Sequence, residues 1–251
     1  MLRFRLSLGS AVLAMAALLV SAGHVPAQIP TEFKNLRVLP KDIPRDSLVQ
    51  LMRSFSFATG LGCDDCHVMG EDNSFRGARF DLDDKANKRK ARYMLEMVHR
   101  INDELLAGLP DRGTPALAVE CKTCHRGLTK PFLLRTELHR VLDEQGLAAA
   151  IARYRQLRET APMRGAYDFG EWETNELARE VEAEGKTEAA IAFLGLNAEF
   201  YPESPSIPGT LGPLYEKLNQ RDNAISAYRR VLELDPRNRA AQERLRVLTG
   251  G

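Results

Sequence analysis

The chain has 251 residues, a formal net charge of +1 and 27% charged residues. That length fits one or two domains. The near-balanced charge sets up no global field toward nucleic acid, which argues against a nucleic-acid binder. Ala, Leu, Glu and Arg dominate, which favours helix.

Arg3 and Arg5 precede an apolar run from Leu6 to Val20. This is the pattern of an export signal, ending near Ser21-Ala22-Gly23 or Val25-Pro26-Ala27. The run is short for a membrane span. The sequence therefore predicts a signal peptide over 1–27 and a periplasmic protein, with an uncleaved signal anchor as the alternative.

Residues 28–46 carry Pro30, Pro40 and Pro44 without a clear period. They read as an extended arm on the surface. Asp46 or Ser47 could cap a helix from about Leu48 to Thr59. Leu48, Leu51, Met52 and Phe55 give it an apolar side. Gly60 and Gly62 stop it. Then comes Cys63-Asp64-Asp65-Cys66-His67, followed by a polar loop with Gly70, Asn73 and Gly77. A long helix is expected from Asp84 to about Ala107. Met94, Val98, Ile101 and Leu105 form its apolar stripe, with Met97 beside them. A Gly- and Pro-containing loop, 108–115, leads to Cys121-Lys122-Thr123-Cys124-His125.

Both cysteine clusters read C-x-x-C-H, the attachment signature of a c-type haem. In a helical turn, residues i, i+3 and i+4 share a face. Cys63, Cys66 and His67 would then address one porphyrin, and Cys121, Cys124 and His125 another. The thiols can add to the vinyl groups and the imidazole can reach the iron. The chain holds four cysteines, and these motifs use all of them. Two covalently attached haems are the main reading. Two C-x-x-C pairs could also hold one zinc, form disulfides, or make a thioredoxin-like redox pair.

A second axial ligand decides the iron chemistry. Met52, on the helix before the first motif, is the candidate for the first iron. Met94 is the candidate for the second, with Met97 and His99 as rivals on the same helix. Any of these methionines could equally be ordinary core. His139 reads as part of a solvated face, and His24 lies near the expected cleavage point. Arg76, Arg79, Arg92 and Arg126 are candidates to pair with haem propionates.

Residues Met52 to Pro131 resemble half of the tetrahaem cytochrome subunit of photosynthetic reaction centres. The likeness rests on Met52 ahead of Cys63-x-x-Cys66-His67, then Asn73 and Phe75. It continues through Ala91-Arg92-Tyr93-Met94-Leu95-Glu96-Met97 with Ile101-Asn102, and ends on Cys121-Lys122-Thr123-Cys124-His125-Arg126-Gly127. In that family each haem follows a helix whose methionine usually ligates the iron. The resemblance thus implies Met52 for the first haem and Met94 for the second. One haem of that family takes a histidine from elsewhere in the chain. This chain also has cysteines for two haems rather than four, and a repeat region that the family lacks.

The repeat region holds three copies of one pattern. Ala150-Ile151 precedes Tyr154 and Pro162, Ala190-Ile191 precedes Leu194 and Pro202, and Ala224-Ile225 precedes Tyr228 and Pro236. The last two copies are 34 residues apart and the first two 40. That period and those offsets are tetratricopeptide-like. Leu177 and Ala178 fit the first helix of the middle copy, and Leu211, Gly212 and Tyr215 that of the last. The first copy carries an insertion around Tyr167-Asp168-Phe169-Gly170. Residues 239–249 read as a capping helix.

The expected architecture is all-α. A small dihaem c-type cytochrome domain with little regular sheet spans 28–134, and an α-solenoid spans 135–251. The expected function is a periplasmic electron carrier rather than an enzyme. It would relay single electrons, with the repeats docking a redox partner or a membrane-bound electron-transfer complex. A dihaem peroxidase using His99 or Glu96, or a redox-sensing scaffold, is the alternative.

Overall fold

The computed structural model describes residues 29–160 and 165–250. The segment read as a signal peptide, 1–27, lies outside the described residues, as does Pro162 of the first repeat. The fold is all-α. Among the described residues the only β-pairing is an isolated bridge between Val68 and Arg79, and no helix is long and apolar enough to cross a membrane.

Helix α1 spans Arg45–Thr59. It begins before the expected caps, and neither Asp46 nor Ser47 caps it. Pro44 stands at the N-cap with φ −58° and ψ 141°, and its carbonyl accepts from Leu48 N–H at 3.0 Å. The ring fixes φ there, so the chain can turn straight from the arm into helix. Gly60 ends α1 in the left-handed region at φ 75°, as its sequence position suggested.

Helix α2 is the short turn Cys63–Cys66. Helix α3 spans Ala86–Arg100 and runs on as a π turn over Ile101–Leu105. The single long α-helix expected to Ala107 is thus broken in type. The wider turn falls at Asn102, whose side-chain amide donates to the Val119 carbonyl and accepts from Val119 N–H, both at 2.8 Å. Such π insertions often mark functional sites; here the turn ties α3 to the approach of the second motif. Helix α4 is that motif, Cys121–His125.

Three antiparallel helix pairs follow: α5 (Leu134–Gln145) with α6 (Leu147–Thr160), α7 (Glu171–Ala183) with α8 (Thr187–Phe200), and α9 (Ser206–Lys217) with α10 (Arg221–Leu234). Helix α11, Arg239–Thr249, closes the stack. The alanine and the residue four positions after it are buried in every copy, whereas Pro202 and Pro236 are exposed. Ala150, Tyr154, Ala190, Leu194 and Ala224 are wholly inaccessible and Tyr228 nearly so. The small alanine lets paired helices approach, and the larger residue fills the space between pairs. A Cβ on Gly212 would stand 2.6 Å from the Tyr228 ring, so α9 and α10 meet only because that position has no side chain. The insertion after α6 is also structural. Phe169 packs edge-on against Tyr154 at 5.7 Å, and Tyr201 donates to its carbonyl at 2.6 Å.

His139 sits half-buried on a solvent-facing surface, as expected, but it is ion-paired there. It bridges Asp143 at 3.2 Å and Glu184 at 2.8 Å, and Lys186 joins both carboxylates at 2.6 and 2.7 Å. The network staples α5 to the α7–α8 turn.

Phe193, fully buried in the solenoid core, gives a direct test of the stacking. Phe193→Ala should lower unfolding stability by about 3–5 kcal/mol in a denaturant titration. A loss below about 1 kcal/mol would contradict this packing.

Candidate functional site

Five elements build the site: the arm 29–39, α1, the first half of α3, and the two motif turns. Together they enclose a cavity of about 890 Å³, toward the upper end for ligand pockets. Met52 of α1 and Met94 of α3 both line it, as do Cys63, Cys66, His67, Cys121 and His125. Cys124 is exposed and lies outside the lining. Met97, His99 and Glu96 also lie outside it. Stacked Phe75 and Phe80 add apolar wall.

The two motifs are packed against the same helix end. Gly127 N–H donates to the Ala58 carbonyl at 2.8 Å, and Thr129 Oγ1 donates to the Thr59 carbonyl at 3.0 Å. A Cβ on Gly60 would meet the Gly127 carbonyl at 2.7 Å. Backbone thus touches backbone, and that contact brings the second turn beside the first.

The turns differ in detail. His125 remains inside α4. His67 leaves α2 in an extended conformation, φ −122°, so Cys63, Cys66 and His67 do not share one regular helical face. His67 still lines the cavity, and its ring sits edge-on to Phe80 at 5.0 Å. Its Nδ1 is buried without a hydrogen-bond partner. Its pKa is pushed down to about 4, by burial first and then by the nearby Lys88 and Arg92 cations. A neutral imidazole with an unused nitrogen suits a metal ligand. His125 Nδ1 lies 2.8 Å from the Leu128 carbonyl. As the donor there, it leaves Nε2 with a free lone pair, the arrangement that orients ligating histidines.

The arm does not simply lie on the surface, as its composition suggested. It forms one wall of the cavity, and Asp83 holds it there. Asp83 Oδ1 accepts from Asn35 at 3.0 Å and pairs with Arg92 at 2.7 Å and Lys88 at 3.2 Å. Its Oδ2 meets Arg37 at 3.0 Å. Arg92 first, then Asn35 and Lys88, hold this carboxyl far below the usual range against the opposing effect of burial. Burial pushes the Lys88 ammonium down. Of the arginines expected to reach propionates, Arg92 is thus committed to Asp83 and Arg79 to Asp81 at 3.0 Å. The acidic stretch 81–84 competes for them. Sequence reading missed the Asp83 hub, whose only local signal was that run of acids before a basic helix.

The competing uses of the cysteines fare poorly. All four thiols are free. Among the described residues the only cluster with metal-ligand spacing is His139, Asp143 and Glu184, so the cysteines do not gather around one zinc. Burial first, then Asp65, Cys63 and Asp64, raise the Cys66 thiol pKa. Burial likewise raises that of Cys121. A thioredoxin-like pair needs a lowered one.

The residues present fit a haem: paired thiols, an imidazole and a thioether at one apolar cavity. The family model for the photosynthetic reaction centre cytochrome C subunit matches residues 14–156, more than half of the chain. No curated protein matches. A solved structure titled the first TPR of Spaghetti (RPAP3) bound to HSP90 peptide SRMEEVD is 20% identical, at a TM-score of 0.32. That similarity covers 47% of this chain and 90% of that one, and at so low a score it carries no argument.

Two substitutions test the scaffold. Asp83→Asn should speed amide hydrogen exchange over Asn35–Arg37 about tenfold or more, because charge-assisted bonds contribute about 1.5–3 kcal/mol. Unchanged exchange would contradict the latch. Asp83 is ionised in the fold well below the pH at which a free carboxyl protonates. Its contribution is therefore full above about pH 3.8 and is lost as pH falls below that value. Asn102→Ala should similarly raise exchange at Val119, and an unmoved rate there would show that another contact holds the second motif.

Proposed function

The chain belongs to the photosynthetic reaction centre cytochrome C subunit family, a family of haem-binding c-type cytochromes, and on that footing we propose that it is a periplasmic dihaem electron carrier with a repeat region for protein docking. The observation that carries this reading is the convergence of both C-x-x-C-H turns, Met52 and Met94 on one cavity. Cys63 and Cys66 would hold the first haem covalently, with His67 and Met52 as ligands to its iron. Cys121 and Cys124 would hold the second, with His125 and Met94. Met94 is preferred to Met97 and His99 because it alone of the three lines the cavity.

Bound haem supplies reversible one-electron chemistry at iron. This chain's residues do the rest. His125 is oriented by its bond to the Leu128 carbonyl. The arm, held by Asp83, and the Phe75–Phe80 pair keep water from the apolar wall. Lys88 and Arg92 place positive charge near His67, which favours the reduced, less positive iron; Asp83 moderates that field. A thioether ligand would favour ferrous iron too. With histidine and methionine both supplied by the protein, no open position would remain for substrate at the metal, so the reading is a carrier rather than an enzyme.

In the repeat region, α5 and α7 are the first helices of successive pairs and present Arg135 over an exposed Trp172 ring, 5.6 Å from its centroid. This surface suits a redox partner or a membrane-bound electron-transfer complex. The expected export signal supports the periplasmic assignment.

Optical redox titration of the holoprotein tests the ligand set. Met52→Ala should lower one of two midpoint potentials by on the order of 100 mV, a modest part of the ~0.8 V that axial ligation spans, and leave the other in place. An unchanged spectrum and unchanged potentials would show that another group binds the first iron.

A further inference from the structure

We propose that the corner where α1 meets the second C-x-x-C-H turn is a docking port for an acidic redox-partner protein. Its purpose rests on the dihaem reading above, but its ability to dock does not.

The two segments that form the corner, 47–60 and 121–134, contain Arg53, Lys122, Arg126 and Lys130 and no carboxylate. The Gly127–Ala58 and Thr129–Thr59 bonds lock them together. Phe57 stands 69% exposed on this corner, with Lys122 Nζ 4.6 Å from its ring centroid. Arg53 lies one turn earlier on the same side of α1.

Several surface arginines elsewhere are paired with carboxylates on the same or a neighbouring helix. Arg140 pairs with Glu137 and Glu144, Arg155 with Glu199, and Arg244 with Glu216. At this corner Lys122 and Lys130 are exposed and meet no carboxylate; Glu120, just ahead of Cys121, borders the patch. The first motif is opposite in sign, with Asp64 and Asp65 between its cysteines. The two turns therefore select partners by charge.

A rigid cluster of like charges costs self-repulsion in the free protein, and an acidic surface relieves it while gaining association rate. An exposed aromatic among cations supplies the apolar anchor usual at protein interfaces. Electron exchange also needs the partner close to a cofactor edge, and Cys124 brings the second site to the surface here. These features favour a folded acidic protein over a lipid surface. The exchange moves one electron: the partner loses what the second site gains, or the reverse, and no bond or proton moves.

The test uses the full-length holoprotein and a plant-type [2Fe–2S] ferredoxin as the acidic probe, with binding read by surface plasmon resonance at low salt. The Lys122→Glu/Lys130→Glu double variant should weaken binding at least about tenfold. Phe57→Ser should weaken it too, and salt should weaken the wild-type contact. Lys85→Glu, an exposed charge reversal on the chain leading into α3, should leave binding unchanged. Circular dichroism checks that each variant is folded. Binding that survives the double variant, or falls equally with Lys85→Glu, overturns the port. So does a double variant that loses only binding to phosphatidylglycerol vesicles. Haem content is measured separately on each preparation. Intact haems without ferredoxin binding sink the port alone, whereas binding by haem-free protein leaves the port standing and sinks the dihaem reading.

Discussion

The cytochrome part of this chain depends on one contact between distant backbones, the bond from Gly127 N–H to the Ala58 carbonyl. It can form because Gly60 brings no side chain against the Gly127 carbonyl. Through it the second cysteine turn packs on the same helix end that leads into the first. Both motifs then open on one apolar cavity instead of two separate sites. The nearness of the two motifs is thus set by packing, before any cofactor chemistry is considered.

Charge finishes what packing begins. Asp83 gathers Asn35 and Arg37 from the arm and Lys88 and Arg92 from α3 into one partly buried cluster. The arm becomes a wall, and cations stand near His67. Three cations share this one carboxylate, and backbone carbonyls take other donors: Lys88 also donates to the Phe80 and Leu82 carbonyls and Arg92 to that of Asn35. On the outside of the second turn, Lys122 stands over the exposed Phe57 ring and meets no carboxylate among the described residues.

Much of this was legible in the sequence, for identifiable reasons. The cysteine–histidine spacing specifies covalent chemistry independently of fold. The Ala150/Tyr154, Ala190/Leu194 and Ala224/Tyr228 pairs announced the stacked helices because a repeated unit must bury the same positions each time. Gly60 marked the end of α1 because a left-handed residue is needed there. What escaped was non-local. The arm's docking depends on Asn35 and Arg37 meeting Asp83 more than forty residues later, and no periodicity encodes such a meeting. Asn102 drew notice through family resemblance, but its two bonds to Val119 needed a three-dimensional neighbour. Pro44, read as part of the arm, became the start of α1 because its fixed φ suits a helix N-terminus better than the carboxylate and hydroxyl behind it suggested. The surface position of His139 was legible, but nothing local showed that Glu184 would fold back against it.

Intact mass spectrometry of the purified protein, read beside its pyridine haemochrome spectrum, tests the central claim most directly. The account predicts the polypeptide mass plus two haems and a haemochrome of matching stoichiometry. A mass equal to the bare polypeptide, with no haemochrome, would contradict it.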